Sequence, residues 1–198
     1  MFAPAPALPP VSLESAYVEI RAAARPAEDP ISVLSRAASP AEKLAALETL
    51  HASLPLAPQA RRAKALATLS LVAGSAAETP AVRARALMYL GYAVPVVGDE
   101  AARLAAVRVL LGATLTPAYR VYALRGLGPA THDLPAAVEP EVQAALLNLL
   151  GSTLTNEERI TALATLDAFV RTREDLSRRR PDLVAALESE MQIGRAHV

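Results

Sequence analysis

Four basic side chains recur at matched positions along this chain: Lys43, Arg83, Arg120 and Arg159. Cations at regular spacing could grip phosphate or carboxylate groups. They could equally lay their aliphatic stems between neighbouring elements and hydrogen-bond loop carbonyls, which is the reading favoured here. A denser basic group, Arg171, Arg173, Arg178, Arg179 and Arg180, is interrupted by Glu174 and Asp175. A solvated loop accounts for it, and a phosphate or acidic-peptide contact is the sharper alternative. His51, His132 and His197 show no metal-ligand spacing, and the chain has no cysteine to act as thiolate ligand or nucleophile. The carboxylate pairs Glu139/Glu141 and Glu157/Glu158 stand at expected helix starts, where the helix dipole explains them without acid–base work. Neither a G-x-S-x-G elbow nor a glycine-rich phosphate loop occurs. The chain therefore reads as non-catalytic, with no cofactor and no metal.

Composition narrows what could position these groups. Apolar residues make up 53% of 198 residues but aromatics only 4%, with Trp absent, which favours helices packed on alanine and leucine over an aromatic β core. Twenty basic residues balance twenty acidic ones, so the basic excess expected of a nucleic-acid binder is missing. The longest apolar run, Ala86 to Gly98, is broken by Pro95 and too short to span a bilayer. Residues 1–11 read as a Pro/Ala-rich disordered tail. They carry no positive charge and make a poor signal peptide, so the compartment stays open with the cytoplasm slightly favoured.

An internal repeat organises the rest. SPAEKLAALETLH from Ser39, TPAVRARALMYLG from Thr79, TPAYRVYALRGLG from Thr116 and TNEERITALATLD from Thr155 align without gaps. The start numbers show a nearly constant period. With the Ser/Thr as position zero, position four is the basic column already named. Position seven is Ala46, Ala86, Ala123 and Ala162. Position eight is Leu47, Leu87, Leu124 and Leu163, and position eleven is Leu50, Leu90, Leu127 and Leu166. The Ser/Thr residues are N-caps, with Pro40, Pro80 and Pro117 at the first helical position. Ser39 with Glu42, and Thr155 with Glu158, form capping boxes. The apolar columns line one helical face, and alanine lets a neighbouring backbone come close. Second helices start near Gln59, Asp99 and Glu139 and end at Gly74, Gly112 and Gly151, glycines placed to close a helix in the left-handed conformation. A fourth is expected from about Arg178 to Gln192.

These paired helices, their period and the proline near each first-helix start make the unit similar to a HEAT repeat. The resemblance implies an all-α α-solenoid of stacked antiparallel helix pairs, each of about 37–40 residues. Residues 12–38 then form degenerate N-terminal capping helices with Leu13, Tyr17 and Ile20 on one face, and residues 39–192 hold four helix pairs starting near 39, 79, 116 and 155. The resemblance further implies a scaffold that binds a protein or peptide along the concave face of its second helices. That face would draw on Arg61, Lys64, Thr68, Arg103, Arg108, Gln143 and Asn148. The alternatives are an accessory or regulatory subunit of an enzyme, as in HEAT-like proteins associated with bilin lyases, and a helical-repeat DNA-binding protein. The end, Ile193–Val198 (IGRAHV), reads like the translated start of a short-read sequencing adapter. It is expected to be a non-native tail, so that the natural protein would continue past about Gln192. High Ala, Arg and Pro content points to a GC-rich bacterial genome.

Overall fold

The computed structural model describes residues 28–36, 38–172 and Ala185. Among them are eight α-helices, packed against one another, and no strand. Helix α1 is Pro30–Ser35, α2 Pro40–Ser53, α3 Gln59–Gly74 and α4 Pro80–Ala93. Helix α5 is Glu100–Thr114, α6 Pro117–Ala130, α7 Glu139–Leu150 and α8 Asn156–Arg171. None of these helices is long and apolar enough to cross a membrane. Residues 1–27 and the IGRAHV end lie outside the described residues, as does the helix expected at Arg178–Gln192 apart from Ala185.

Helix starts follow the sequence signals closely. The Ser39 and Thr155 hydroxyls accept from the Glu42 and Glu158 amides at 3.3 Å, while each glutamate accepts from its cap's own amide at 2.8 Å. Thr79 accepts from Val82 at 3.5 Å and Asp99 from Ala102 at 3.1 Å. Thr116 is an N-cap by position only, since its side chain makes no capping bond.

Helix ends differ from expectation. No described glycine has a positive φ. Gly112 lies inside α5, and Gly151 is right-handed at φ −76°. Tight turns and arginines replace the left-handed caps. The amides of Ser75 and Leu115 donate to Val72 and Gly112 at 3.3 Å each, closing the last turns in 3-10 fashion. The carbonyls left over at Ala73 and Thr114 accept from Arg83 at 3.3 Å and Arg120 at 2.9 Å. Cations at helix C-termini also suit the helix dipole.

The first helices α2, α4, α6 and α8 pack on one another in series. The second helices pair across the repeat boundary: α1, α3, α5 and α7 each make a broad contact with the first helix that follows. The close hairpins are therefore α1–α2, α3–α4, α5–α6 and α7–α8. A repeat period is the same wherever the unit is cut, which is why the sequence alone does not show this phase. All of the seventh-column alanines and eleventh-column leucines are buried, as are Leu47, Leu87 and Leu124, while Leu163 packs from the edge. Truncating one of these leucines to alanine is worth about 2–5 kcal/mol.

Position ten sets how closely the first helices approach. A Cβ on Gly126, at position ten, would stand 2.3 Å from the carbonyl oxygen of Leu87, and one on Gly91, at position twelve of the preceding first helix, only 1.7 Å from the carbonyl oxygen of Gly126. Thr165, one repeat later, places its hydroxyl 3.1 Å from the Leu124 carbonyl and 2.8 Å from its own Thr161 carbonyl. The same register thus recurs at successive interfaces, closest where both residues are glycine.

Candidate functional site

Three members of the basic column, Lys43, Arg83 and Arg120, reach toward the next repeat. Lys43 pairs with Glu78, just ahead of α4. Arg83 donates to the Tyr119 hydroxyl at 3.2 Å, with its guanidinium 4.3 Å from that ring's centre. Arg120 meets Glu158 at 2.9 Å, and these side chains are 15% and 9% exposed. The Thr155 amide first, and then the Thr155 hydroxyl and Arg120, hold the Glu158 carboxyl below its ordinary range. Lys43, Arg83 and Arg120 each bond backward to a helix end or forward to the next repeat. They act as staples between units, a use already open to them in the sequence.

A second set of staples escapes a reading of the sequence. From α3, Arg62 donates to Pro55 O at 2.7 Å and to Val96 O at 3.2 Å. From α5, Arg103 donates to Asp133 O at 3.1 Å and pairs with the Asp133 carboxylate. Both reach the 3-10 turns of the next repeat, Val94–Val96 and Thr131–Asp133. The available signal is a pair of arginines one repeat apart, Arg62 and Arg103, but unequal loops put them outside the aligned columns.

The seven residues expected on a partner-binding face have different fates. Arg61 pairs with Asp29 at 2.7 Å, Arg108 with Glu141 at 2.7 Å, and Arg103 with Asp133 as above. Thr68 is buried and bonds the Lys64 carbonyl at 2.9 Å. Gln143 is half-buried and makes an interaction of its own. Lys64 and Asn148 are exposed. Asn148 borders a cleft of about 480 Å³ between α5 and α7, shared with Leu115, Glu141 and Ser152. The cleft exists because α5 and α7 lack the close packing that joins α4 to α6.

The opposite face, formed by the first helices, carries a strip of aromatic and charged side chains. His51 stacks on Tyr89 with ring centres 4.2 Å apart and planes 7° from parallel, and Tyr92 leans on the same imidazole at 5.1 Å. Tyr89 donates to Glu48; burial, followed by this bond, pushes its phenol above the ordinary range. Arg85 spans Glu48 at 3.0 Å and Tyr89 at 3.3 Å, within electrostatic reach of Tyr122. Its pKa is raised, first by the Tyr89 bond and less by Glu48. Beyond Tyr122, Arg125 pairs with Glu157 at 2.9 Å. Tyr92 is 46% and Tyr122 38% exposed, and Ile160 extends the strip at 68%. The repeat alignment hides this strip, because its members come from columns that vary between copies.

Among the described residues, no cluster of His, Asp or Glu is arranged to hold a metal ion. Compared with known proteins, the chain matches no family model, no curated protein and no solved structure.

Proposed function

We propose that this chain is a non-catalytic scaffold, an α-solenoid of HEAT-like repeats that presents one face to a protein partner. The observation that supports this reading most is a division of labour among the polar side chains. Those that hold neighbouring repeats together are engaged between units: the aligned Lys43, Arg83 and Arg120 in one row, and Arg62 and Arg103, outside the aligned columns, in the other. Others form the Tyr92–His51–Tyr89–Arg85–Tyr122 strip, held in place yet open at both tyrosine ends. Tyrosine and arginine are the side chains on which protein interfaces concentrate their energy. The strip's charges are internally paired as Glu48–Arg85 and Arg125–Glu157. It therefore suits a largely uncharged protein surface better than a phosphate backbone. On the second-helix face, Lys64 and Asn148 remain as polar contacts, with Asn148 beside the α5–α7 cleft.

Affinity capture from cells of the source, with wild type against a Tyr92→Ala/Tyr122→Ala variant, tests this. Both rings are substantially exposed, so the variant is expected to keep the wild-type melting profile. A partner retained by wild type and lost tenfold or more by the variant, with binding rebuilt from the purified pair, supports the reading. Equal capture by both forms refutes the strip as the docking face.

A further inference from the structure

Neighbouring first helices run parallel and almost in register. Arg83 and Arg120, at position four, meet Tyr119 and Glu158 at position three of the next helix. Thr165, at position ten, meets the Leu124 carbonyl at position eight. Helix and position together therefore fix where a residue stands on the outer side of this row. On the two middle helices, position six is Arg85 on α4 and Tyr122 on α6, and position thirteen is Tyr92 on α4 and Pro129 on α6. On the two outer helices, position twelve is His51 on α2 and Asp167 on α8. All six are exposed or half-buried. At each of these positions the two residues are chemically complementary, and they lie symmetrically about the line between α4 and α6.

We infer that this face docks a second copy of the same chain, across a two-fold axis that runs between α4 and α6 and parallel to them. The inference rests on the first-helix strip being the docking face, and names what docks there. Such an axis preserves position and sets α4 against α6 of the other copy, and α2 against its α8. Arg85 then meets the face of the other copy's Tyr122, Tyr92 packs on its Pro129, and the His51 imidazole meets its Asp167 carboxylate. At position five, Leu44 covers Ile160, which is 68% exposed in the single chain. Every contact is made twice. Charge agrees with this placement. Arg85 keeps Glu48 at 3.0 Å in its own chain, so the two guanidiniums beside the axis enter without net charge. Of the remaining charged positions, Glu48 faces Ala164, Arg125 faces Met88 and Glu157 faces Ala41, so no like charges oppose one another. Four helices of about 21 Å, laid about 9 Å apart, make a face of roughly 750 Å². A stable interface takes about 800 Å² from each partner, so the area suffices.

Sedimentation velocity of the full chain across the micromolar range tests this. The expected result is a monomer–dimer equilibrium whose Kd rises at least tenfold in Arg85→Ala/Tyr122→Ala, with the melting temperature unchanged. Because the chain has no cysteine, single-cysteine variants report the orientation without background. Arg85→Cys mixed with Tyr122→Cys should form a disulfide between chains at least tenfold faster than either variant alone, since like positions stand a helix apart across the axis. A monomer at every concentration overturns the inference. So does a dimer that the double alanine variant leaves intact, or like-with-like disulfides that form as fast as the mixed one. A wild-type monomer that still captures a different protein through Tyr92 and Tyr122 would overturn only the choice of a second copy. A monomer whose capture ignores those rings would overturn the docking face as well.

Discussion

The two rows of helices hold together by different means. In the first row, α4 and α6 meet backbone to backbone at Gly91 and Gly126, with no room for even a Cβ. In the second row, α5 and α7 are joined by long side chains, Arg108 to Glu141, across a cleft of about 480 Å³. Gly112, on α5, has nothing within 4 Å of where its Cβ would stand. Glycine thus has opposite meanings at Gly126 and at Gly112. Gly91 and Gly126 permit a contact, whereas Gly112 only loosens a helix. The contrast is between these two pairs: α4 and α6 pack closely along their backbones, whereas α5 and α7 are bridged by side chains.

The sharpest way to break this contrast is Gly126→Ala. Its new methyl meets the Leu87 carbonyl at 2.3 Å, and backbone cannot give way as a side-chain tip would. A loss of about 3 kcal/mol is expected in urea unfolding, at the upper end for overpacking. A loss below about 0.5 kcal/mol would show that α4 and α6 separate freely, and the contrast with α5 and α7 would fail. Next comes Arg83→Met, which keeps the stem and removes the bonds to Ala73 O and Tyr119. With those bonds and the cation–π contact gone, the same unfolding measurement should show a loss of about 1–2 kcal/mol.

How much of this is legible follows from which residues are periodic. The Ser/Thr caps, the Ala–Leu columns and the basic column repeat, and the caps mark the first-helix starts at Pro40, Pro80, Pro117 and Asn156; the second helices start at Gln59, Glu100 and Glu139, within a residue of the expected Gln59, Asp99 and Glu139. The Arg62/Arg103 staples stay hidden because the loops they reach, at Val96 and Asp133, differ in length. The glycines mislead for a related reason. Gly74 and Gly112 are in register and look like left-handed caps, but arginines from the next helix take the carbonyls such a cap would serve. The His51–Tyr89–Tyr92–Tyr122 strip is the clearest failure, since its residues sit in columns that vary and only packing across α2, α4 and α6 unites them. Charge and polarity on the second helices suggest a free surface, whereas Arg61, Arg103 and Arg108 each have a carboxylate partner that is distant in sequence.

On the second row the same glycine substitution should have the opposite sign. Gly112→Ala adds a methyl into open space within a helix, at an ordinary φ. A gain of about 0.5–1 kcal/mol is expected from reduced freedom of the unfolded chain and better helix propensity. Destabilisation in urea unfolding would mean that α5 needs the missing side chain, and the contrast between the rows would weaken.

The smallest effect is expected where the second row is bridged by charge. Arg108 lowers the Glu141 carboxyl below its ordinary value near 4.5, chiefly through their hydrogen bond. A depressed folded-state pKa stabilises the fold above the unfolded carboxyl pKa, and the contribution fades as pH falls through the folded one. The Arg108 and Glu141 side chains are 55% and 43% exposed, however, so water and salt screen the pair. Arg108→Ala should therefore leave the urea midpoint unchanged at about 0.15 M salt and pH 7, where screening acts within about 8 Å. In low salt a small deficit should emerge at neutral pH and vanish on acidification through the folded-state pKa of Glu141. A deficit that persists in high salt would mean that the bridge sets the α5–α7 spacing. Those two helices would then be as firmly fixed as α4 and α6, by charge in place of backbone contact.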